Sequence, residues 1–83
     1  MNARQSKIMK QSTKSRQIFA ELVKRYRQEK GLRLEDLAKA TDLSISYLSA
    51  VENGRANISV DNADAIAKAL GVPLAVLLIE RHE

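Results

Sequence analysis

Residues 31–54 read GLRLEDLAKATDLSISYLSAVENG, and this stretch decides the fold. Apolar residues at three- and four-residue spacing predict a helix over 34–40. Residues 41–43 form a short connection, and Ser44 is a favourable N-cap for a second helix that Gly54 stops. Two helices joined by so short a turn must cross at a steep angle.

Three more helices are predicted around this pair. Apolar spacing predicts a first helix over 15–30. Ser59 caps a fourth helix over 60–70, and Pro73 opens a fifth over 74–79. The apolar stripe of the fourth helix comprises Val60, Ala63, Ile66, Ala67 and Leu70. No segment alternates as a strand does, so the predicted fold class is all-α: one compact five-helix domain.

Charge is distributed unevenly along the chain. Residues 1–33 carry ten basic and two acidic groups, whereas residues 34–83 carry four basic and eight acidic groups. We assign residues 1–14 to a basic flexible N-terminal arm and residues 15–83 to the domain. The asymmetry indicates a polyanionic partner, either nucleic acid or an anionic membrane surface; the alternative is a solubilising tail. Membrane binding is less favoured, because residues 1–16 lack Trp, Phe and a wide apolar face.

The rest of the composition argues against an enzyme. The chain has 83 residues, no cysteine and a single histidine, His82, next to the end. Its three glycines form no phosphate-binding motif. We expect no enzymatic activity, no cofactor, no metal and no small-molecule effector site. No apolar run approaches the roughly 18–20 residues of a membrane span, and the N-terminus has no signal-peptide pattern, so we expect a soluble cytoplasmic protein.

The helix that follows Ser44 has an unusual outer face. On a helical wheel Leu48 and Val51 mark the buried side, and Ser46, Ser49 and Ala50 lie on the opposite arc. This arc has no charged residue, although 29% of the chain is charged. Small uncharged side chains suit a helix that presses closely against a partner, as in the DNA major groove. The alternative is a face that is merely solvated.

Glu52 falls on the apolar side of the same helix. An unpaired buried carboxylate is costly, so Glu52 requires a basic partner. Arg27, one residue beyond Tyr26 on the first helix, is the best candidate. The alternative is that Glu52 is exposed.

These residues resemble a known family. Residues 31–38, Leu43-Ser44, residues 47–54 and the downstream stretch 66–73 are similar to the phage Cro and repressor-type (XRE-type) helix-turn-helix, with a lambda-repressor-like fold. Residues 55–59 also resemble the controller proteins of restriction–modification systems. The resemblance implies a homodimer that binds operator DNA. It also implies a buried structural ion pair between Arg27 and Glu52.

The resemblance implies roles for particular side chains. The base-contacting positions would be Ile45, Ser46, Ser49 and Ala50. The DNA backbone-contacting positions would be Arg33, Leu34, Tyr47, Asn53, Arg55 and Asn57. Three positions depart from the family pattern. Leu34 replaces a Gln and leaves only its backbone N–H for phosphate; Arg33 replaces a Ser or Thr cap; and Asp42 replaces the turn glycine.

The last predicted helix suggests a dimer surface. Residues 74–79 are six consecutive apolar residues, more than one helix can hide in a small core. We expect Val76 and Ile79 to face a second subunit, the alternative being that both are simply exposed.

The predicted function is therefore a sequence-specific transcriptional regulator. It would bind double-stranded DNA at a palindromic operator as a homodimer and act as a repressor or autoregulator at the nucleoid. The alternative is an antitoxin-type module that binds a partner protein and its own operator.

Overall fold

The computed structural model describes residues 13–79, and these form four α-helices followed by a 3-10 helix. The α-helices are α1 (Lys14–Glu29), α2 (Leu34–Thr41), α3 (Ile45–Glu52) and α4 (Val60–Leu70). The 3-10 helix spans Leu74–Leu78. The all-α class is confirmed, and no strand occurs within the described range.

The fifth element differs from the prediction of an α-helix. It is a 3-10 helix of five residues that ends before Ile79. Pro73 precedes it, offers no side-chain cap, and accepts the Val76 N–H at 3.0 Å in an i to i+3 bond. An α-helical hydrogen bond joins residues four apart, whereas a 3-10 bond joins residues three apart. A five-residue segment can therefore form more internal bonds as a 3-10 helix than as an α-helix.

Side-chain caps define the starts of three helices. The hydroxyls of Thr13, Ser44 and Ser59 each accept a backbone N–H three residues further on. Thr13 makes α1 begin at Lys14, one residue earlier than predicted, so Lys14 lies on the first turn rather than in the arm. Residues 1–12, the remainder of the predicted arm, lie outside the described residues.

The turn between α2 and α3 requires a left-handed residue. Asp42 ends α2 with φ 62° and donates its N–H to the Ala38 carbonyl at 2.8 Å. Asp tolerates this conformation better than most residues, which accounts for its presence where the resembled family carries glycine. The short connection that joins the two helices is therefore preserved.

Every element contributes to one core. The six largest fully buried side chains are Val23, Leu37, Leu48, Ile66, Leu70 and Leu77. Leu48 and Val51 of α3 are both buried, as predicted, and α3 packs against α1 and α2. Val60 belongs to the predicted apolar stripe of α4 but is not buried with it. It is the first residue of the helix and is 75% exposed.

No helix within residues 13–79 combines the length and the apolar character that a bilayer crossing requires.

Candidate nucleic-acid interface

The outer face of α3 carries the predicted base-contacting residues. Ile45 is 49% exposed, Ser46 is exposed and Ser49 is half-buried. Ala50 is also half-buried and packs against the core, so it offers only part of its surface outward. The structure therefore brings Ile45, Ser46 and Ser49 to one accessible and uncharged surface.

Glu52 is anchored to Arg27. The Arg27 Nε lies 2.6 Å from Glu52 Oε2, and Arg27 Nη2 donates to Glu52 Oε1 at 3.1 Å. The third arm of the guanidinium, Nη1, donates to the Leu32 carbonyl at 2.7 Å. The side chains are only 13% and 6% exposed, so the alternative of an exposed Glu52 is wrong.

This arrangement joins three parts of the chain at one guanidinium. Arg27 belongs to α1, Leu32 to the connection before α2, and Glu52 to the last turn of α3. The hydrogen bond to Glu52 raises the pKa of Arg27 above its ordinary value, with burial opposing the shift. The two parallel bonds from Arg27 to Glu52 set the position of the C-terminal end of α3.

Removing one partner of this pair is expected to destabilise the protein. Glu52→Ala leaves a largely buried guanidinium unpaired, and we expect the free energy of unfolding to fall by about 3–5 kcal/mol. The apolar double variant Arg27→Met/Glu52→Leu is the matched control and is expected to recover most of that loss. Urea denaturation followed by circular dichroism measures both. A Glu52→Ala protein as stable as the parent would contradict the role of the pair.

The start of α2 is capped by its own acidic residue. Asp36 Oδ2 accepts the backbone N–H of Arg33 at 2.8 Å, which is the half of a capping box that the third residue of a helix supplies. The Arg33 guanidinium in turn lies 3.2 Å from Asp36 Oδ1 and 3.3 Å from Glu35 Oε1. A phosphate approaching Arg33 therefore competes with two carboxylates. The side chain of Leu34 packs against the core, and its N–H is a first-turn group with no intrahelical acceptor.

The cap at Asp36 makes part of the stability depend on pH. Hydrogen bonds from the Arg33 side chain and backbone lower the pKa of Asp36 below its ordinary value. A carboxyl whose folded pKa is depressed stabilises the fold at neutral pH, and that contribution is lost as the pH falls from about 4 through the folded pKa. Asp36→Ala should therefore be less stable than the parent at pH 7, with the difference shrinking in acid. Thermal melts over a pH series measure the difference. A constant difference down to pH about 2 would contradict the assignment.

The loop after α3 holds the other predicted backbone contacts. Asn53 is exposed, and its Nδ2 donates to the Ser49 carbonyl at 2.8 Å. Arg55 is exposed, and within residues 13–79 its guanidinium has no ion-pair partner. Its backbone N–H donates to the Ala50 carbonyl at 2.9 Å. Arg55 is therefore the cation in this loop that is available to a phosphate.

The hydroxyl of Tyr47 is hydrogen-bonded within the domain. Its hydroxyl donates to the Asn57 carbonyl at 3.0 Å and accepts from Asn62 Nδ2 at 3.3 Å. The Asn57 side chain is bound as well, because its Oδ1 accepts from Arg16 Nη2. The contact of Arg16 with this loop and the contact of Asn62 with Tyr47 were not predicted from the sequence. The sequence indicated only that Arg16 is basic, and no sequence pattern marked Asn62 as a partner of Tyr47.

The predicted dimer residues differ in exposure. Ile79 is 58% exposed, whereas Val76 is half-buried. Leu78 and Val60 are also exposed, and they line a groove between the start of α1, residues 57–58, the start of α4 and the 3-10 helix. The exposed apolar surface at this end of the molecule therefore includes more residues than the two that were predicted.

Two short helices, a left-handed turn and an anchored second helix with an uncharged outer face define a helix-turn-helix domain. The helix-turn-helix family model HTH_3 matches residues 23–77, and the chain belongs to this family. The resemblance to the XRE-type helix-turn-helix is thereby confirmed.

Related proteins place the chain among bacterial regulators. It is 41% identical over 60 residues to the HTH-type transcriptional regulator DdrOP3 of Deinococcus deserti, covering 72% of this chain and 46% of that protein. It is 41% identical over 58 residues to the control protein C.BamHI of Bacillus amyloliquefaciens, covering 69% of this chain and 72% of that protein. The chain thus spans about half of the Deinococcus protein, and less than two thirds of SinR from Bacillus subtilis (60%).

A solved structure of one relative has the same fold. The N-terminal DNA-binding domain of SinR from Bacillus subtilis superposes with a TM-score of 0.73 and 34% identity, covering 81% of this chain and 99% of that domain. These relatives are named as regulators and control proteins rather than as enzymes.

Proposed function

We propose that the chain is a DNA-binding transcriptional regulator that inserts α3 into the major groove of a palindromic operator as a homodimer. Bound there, it acts as a repressor or autoregulator at the nucleoid. The observation that carries the proposal is the uncharged, accessible face of α3 at Ile45, Ser46 and Ser49, on a helix that is anchored from behind. The names of the related regulators, and of the DNA-binding domain of SinR, support it.

The small side chains of the proposed face let α3 approach the bases closely, but they form few hydrogen bonds that distinguish one base from another. The hydroxyls of Ser46 and Ser49 pair with donors or acceptors on several bases, and Ile45 suits a thymine methyl. The half-buried Ala50 adds the exposed part of its methyl group to this face. Without Arg, Lys or Gln on this face, base discrimination has few strong contacts, so phosphate contacts and DNA deformability carry more of the affinity.

Phosphate contacts are proposed on both sides of α3. The first-turn N–H of Leu34 and the side chain of Arg33 lie at the start of α2, and Asn53, Arg55 and Asn57 lie in the loop after α3. Helix N-termini and exposed cations are the usual partners of DNA phosphates. Further phosphate contacts were expected from the basic N-terminal residues. Arg4, Lys7 and Lys10 lie outside the described residues, and Lys14 and Arg16 lie on the first turn of α1.

A negative charge on the α3 face is expected to block DNA binding without unfolding the protein. Ser46→Glu places a carboxylate where the proposal puts base edges and phosphates, and we expect affinity for a duplex selected from a random library to fall about 10- to 100-fold. Gln28→Glu changes net charge equally on an exposed part of α1 and serves as the matched control. Fluorescence anisotropy measures affinity, and a melting curve checks folding. Equal affinity of Ser46→Glu and Gln28→Glu would reject the proposed face.

The homodimer is proposed to use the exposed apolar end near the 3-10 helix. A two-fold dimer presents two copies of α3 to half-sites about one DNA turn apart. Val76 and Ile79, with the neighbouring exposed Leu78, supply apolar surface for it.

Charging that surface is expected to separate the subunits. Ile79→Glu changes a residue that is 58% exposed, so the core is retained while the apolar contact is lost. Sedimentation equilibrium is expected to show a dimer for the parent and a monomer for Ile79→Glu at the same concentration. The half-buried Val76→Glu is a second variant, with a melting curve to establish that it folds. A parent monomer, or a dimer unchanged by both substitutions, would contradict this interface.

A further inference from the structure

Asn57 is held from two directions. The Arg16 Nη2 donates to its side-chain Oδ1, and the Tyr47 hydroxyl donates to its main-chain carbonyl at 3.0 Å. Arg16 lies on the first turn of α1, Tyr47 lies on α3, and Asn57 is exposed in the loop before α4. Two helices that are distant in sequence thus converge on one loop residue.

The bond to Arg16 determines which end of the Asn57 amide faces outward. A guanidinium has only hydrogen-bond donors, so the atom that faces it must be the amide oxygen. The NH₂ group then points away from Arg16, and within residues 13–79 no group accepts a hydrogen bond from Asn57 Nδ2. A bond from a cation to the oxygen also polarises the amide and strengthens its N–H groups as donors.

The hydroxyl of Tyr47 is committed to the same loop. Asn62 Nδ2 donates to the Tyr47 oxygen at 3.3 Å, and the single hydroxyl proton is donated to the Asn57 carbonyl. A DNA phosphate offers only acceptors, so Tyr47 can donate to one only by releasing Asn57. This hydrogen-bond chain assigns Tyr47 to the support of the loop.

We infer that Asn57 donates its Nδ2 group to a DNA phosphate, and that Arg16 and Tyr47 are positioning residues that fix this amide for the contact. The inference rests on the proposed function and changes two expected roles. Arg16 acts through Asn57 rather than as one more cation of the basic N-terminal region. Tyr47 holds the backbone of the loop rather than contacting the DNA backbone itself.

A double-mutant cycle between Arg16 and Asn57 separates positioning from direct contact. The probe is a fluorescent duplex selected from a random library, and binding is measured with the full chain between about 50 and 200 mM salt. We expect Asn57→Ala to weaken binding about 3- to 10-fold, the effect of one hydrogen bond. We expect Arg16→Ala to weaken it in the parent background but not further when Asn57 is already Ala, and Arg16→Lys to restore most of the loss.

The salt dependence gives an independent readout. A residue that neutralises a phosphate contributes about 0.9 to the slope of log affinity against log salt. A positioning residue leaves that slope unchanged, which is the result expected for Arg16→Ala and for Tyr47→Phe. A fall in slope with Arg16→Ala, or an equal loss of affinity in both backgrounds, would overturn the positioning role of Arg16. If Tyr47→Phe bound the duplex as tightly as the parent does, the positioning role of Tyr47 would be overturned.

The substitution Asn57→Asp tests the amide directly. The carboxylate still accepts from Arg16, so the melting temperature should not fall, but it has no N–H to offer a phosphate. We expect weaker binding than with Asn57→Ala, and affinity equal to that of the parent would overturn the inference. Failure of the parent to bind any duplex would instead reject the proposed function. Parent binding without coupling in the cycle would reject only the inference.

Discussion

The bidentate pair between Arg27 and Glu52 is the constraint on which the proposed interface depends. Helix α3 has only eight residues, too few to be stable through its own hydrogen bonds. Its position comes from tertiary contacts: Leu48 and Val51 bury one side, and Glu52 ties the last turn to α1. Because Leu48 and Val51 face the core and Glu52 lies in the last turn of α3, the side chains of Ile45 and Ser46 are left exposed on the outer side.

The surroundings of α3 are organised by the same elements. Arg27 also holds the Leu32 carbonyl, so the connection that leads into α2 is tied to the end of α3. On the other side, Tyr47 reaches from α3 to the Asn57 carbonyl. The start of α2 and the loop after α3 are therefore linked to one short helix, and both proposed phosphate sites keep a set distance from the proposed base-contacting face. Pre-arranged groups lose little conformational freedom on binding.

Local signals in the sequence predicted much of this arrangement. The caps at Ser44 and Ser59 and the buried side of α3 follow from chemistry within a few residues, and each is present. The partner of Glu52 was also predictable, because a buried carboxylate needs a cation and Arg27 follows the apolar stripe of α1.

Other features could not be predicted, because they depend on which distant residues meet. Arg16 and Asn57 are 41 positions apart, and no periodic pattern relates them. The exposure of Val60 depends on where the neighbouring elements end, while the apolar pattern of α4 includes it. The bond from the Arg33 N–H to Asp36 is local, but Arg33 is not a usual N-cap residue and Asp36 replaces the usual Glu or Gln of a capping box, so the sequence did not indicate it.

The most direct test of the proposed interface is a titration of the isotopically labelled protein with a selected duplex, following the backbone amide shifts by NMR. We predict that the largest changes fall on Ile45, Ser46 and Ser49, the start of α2 and residues 53–57, while the amides around the exposed Lys68 at the end of α4 change little. Shifts concentrated at the end of α4, with α3 unaffected, would contradict the claim that the uncharged side of α3 meets DNA.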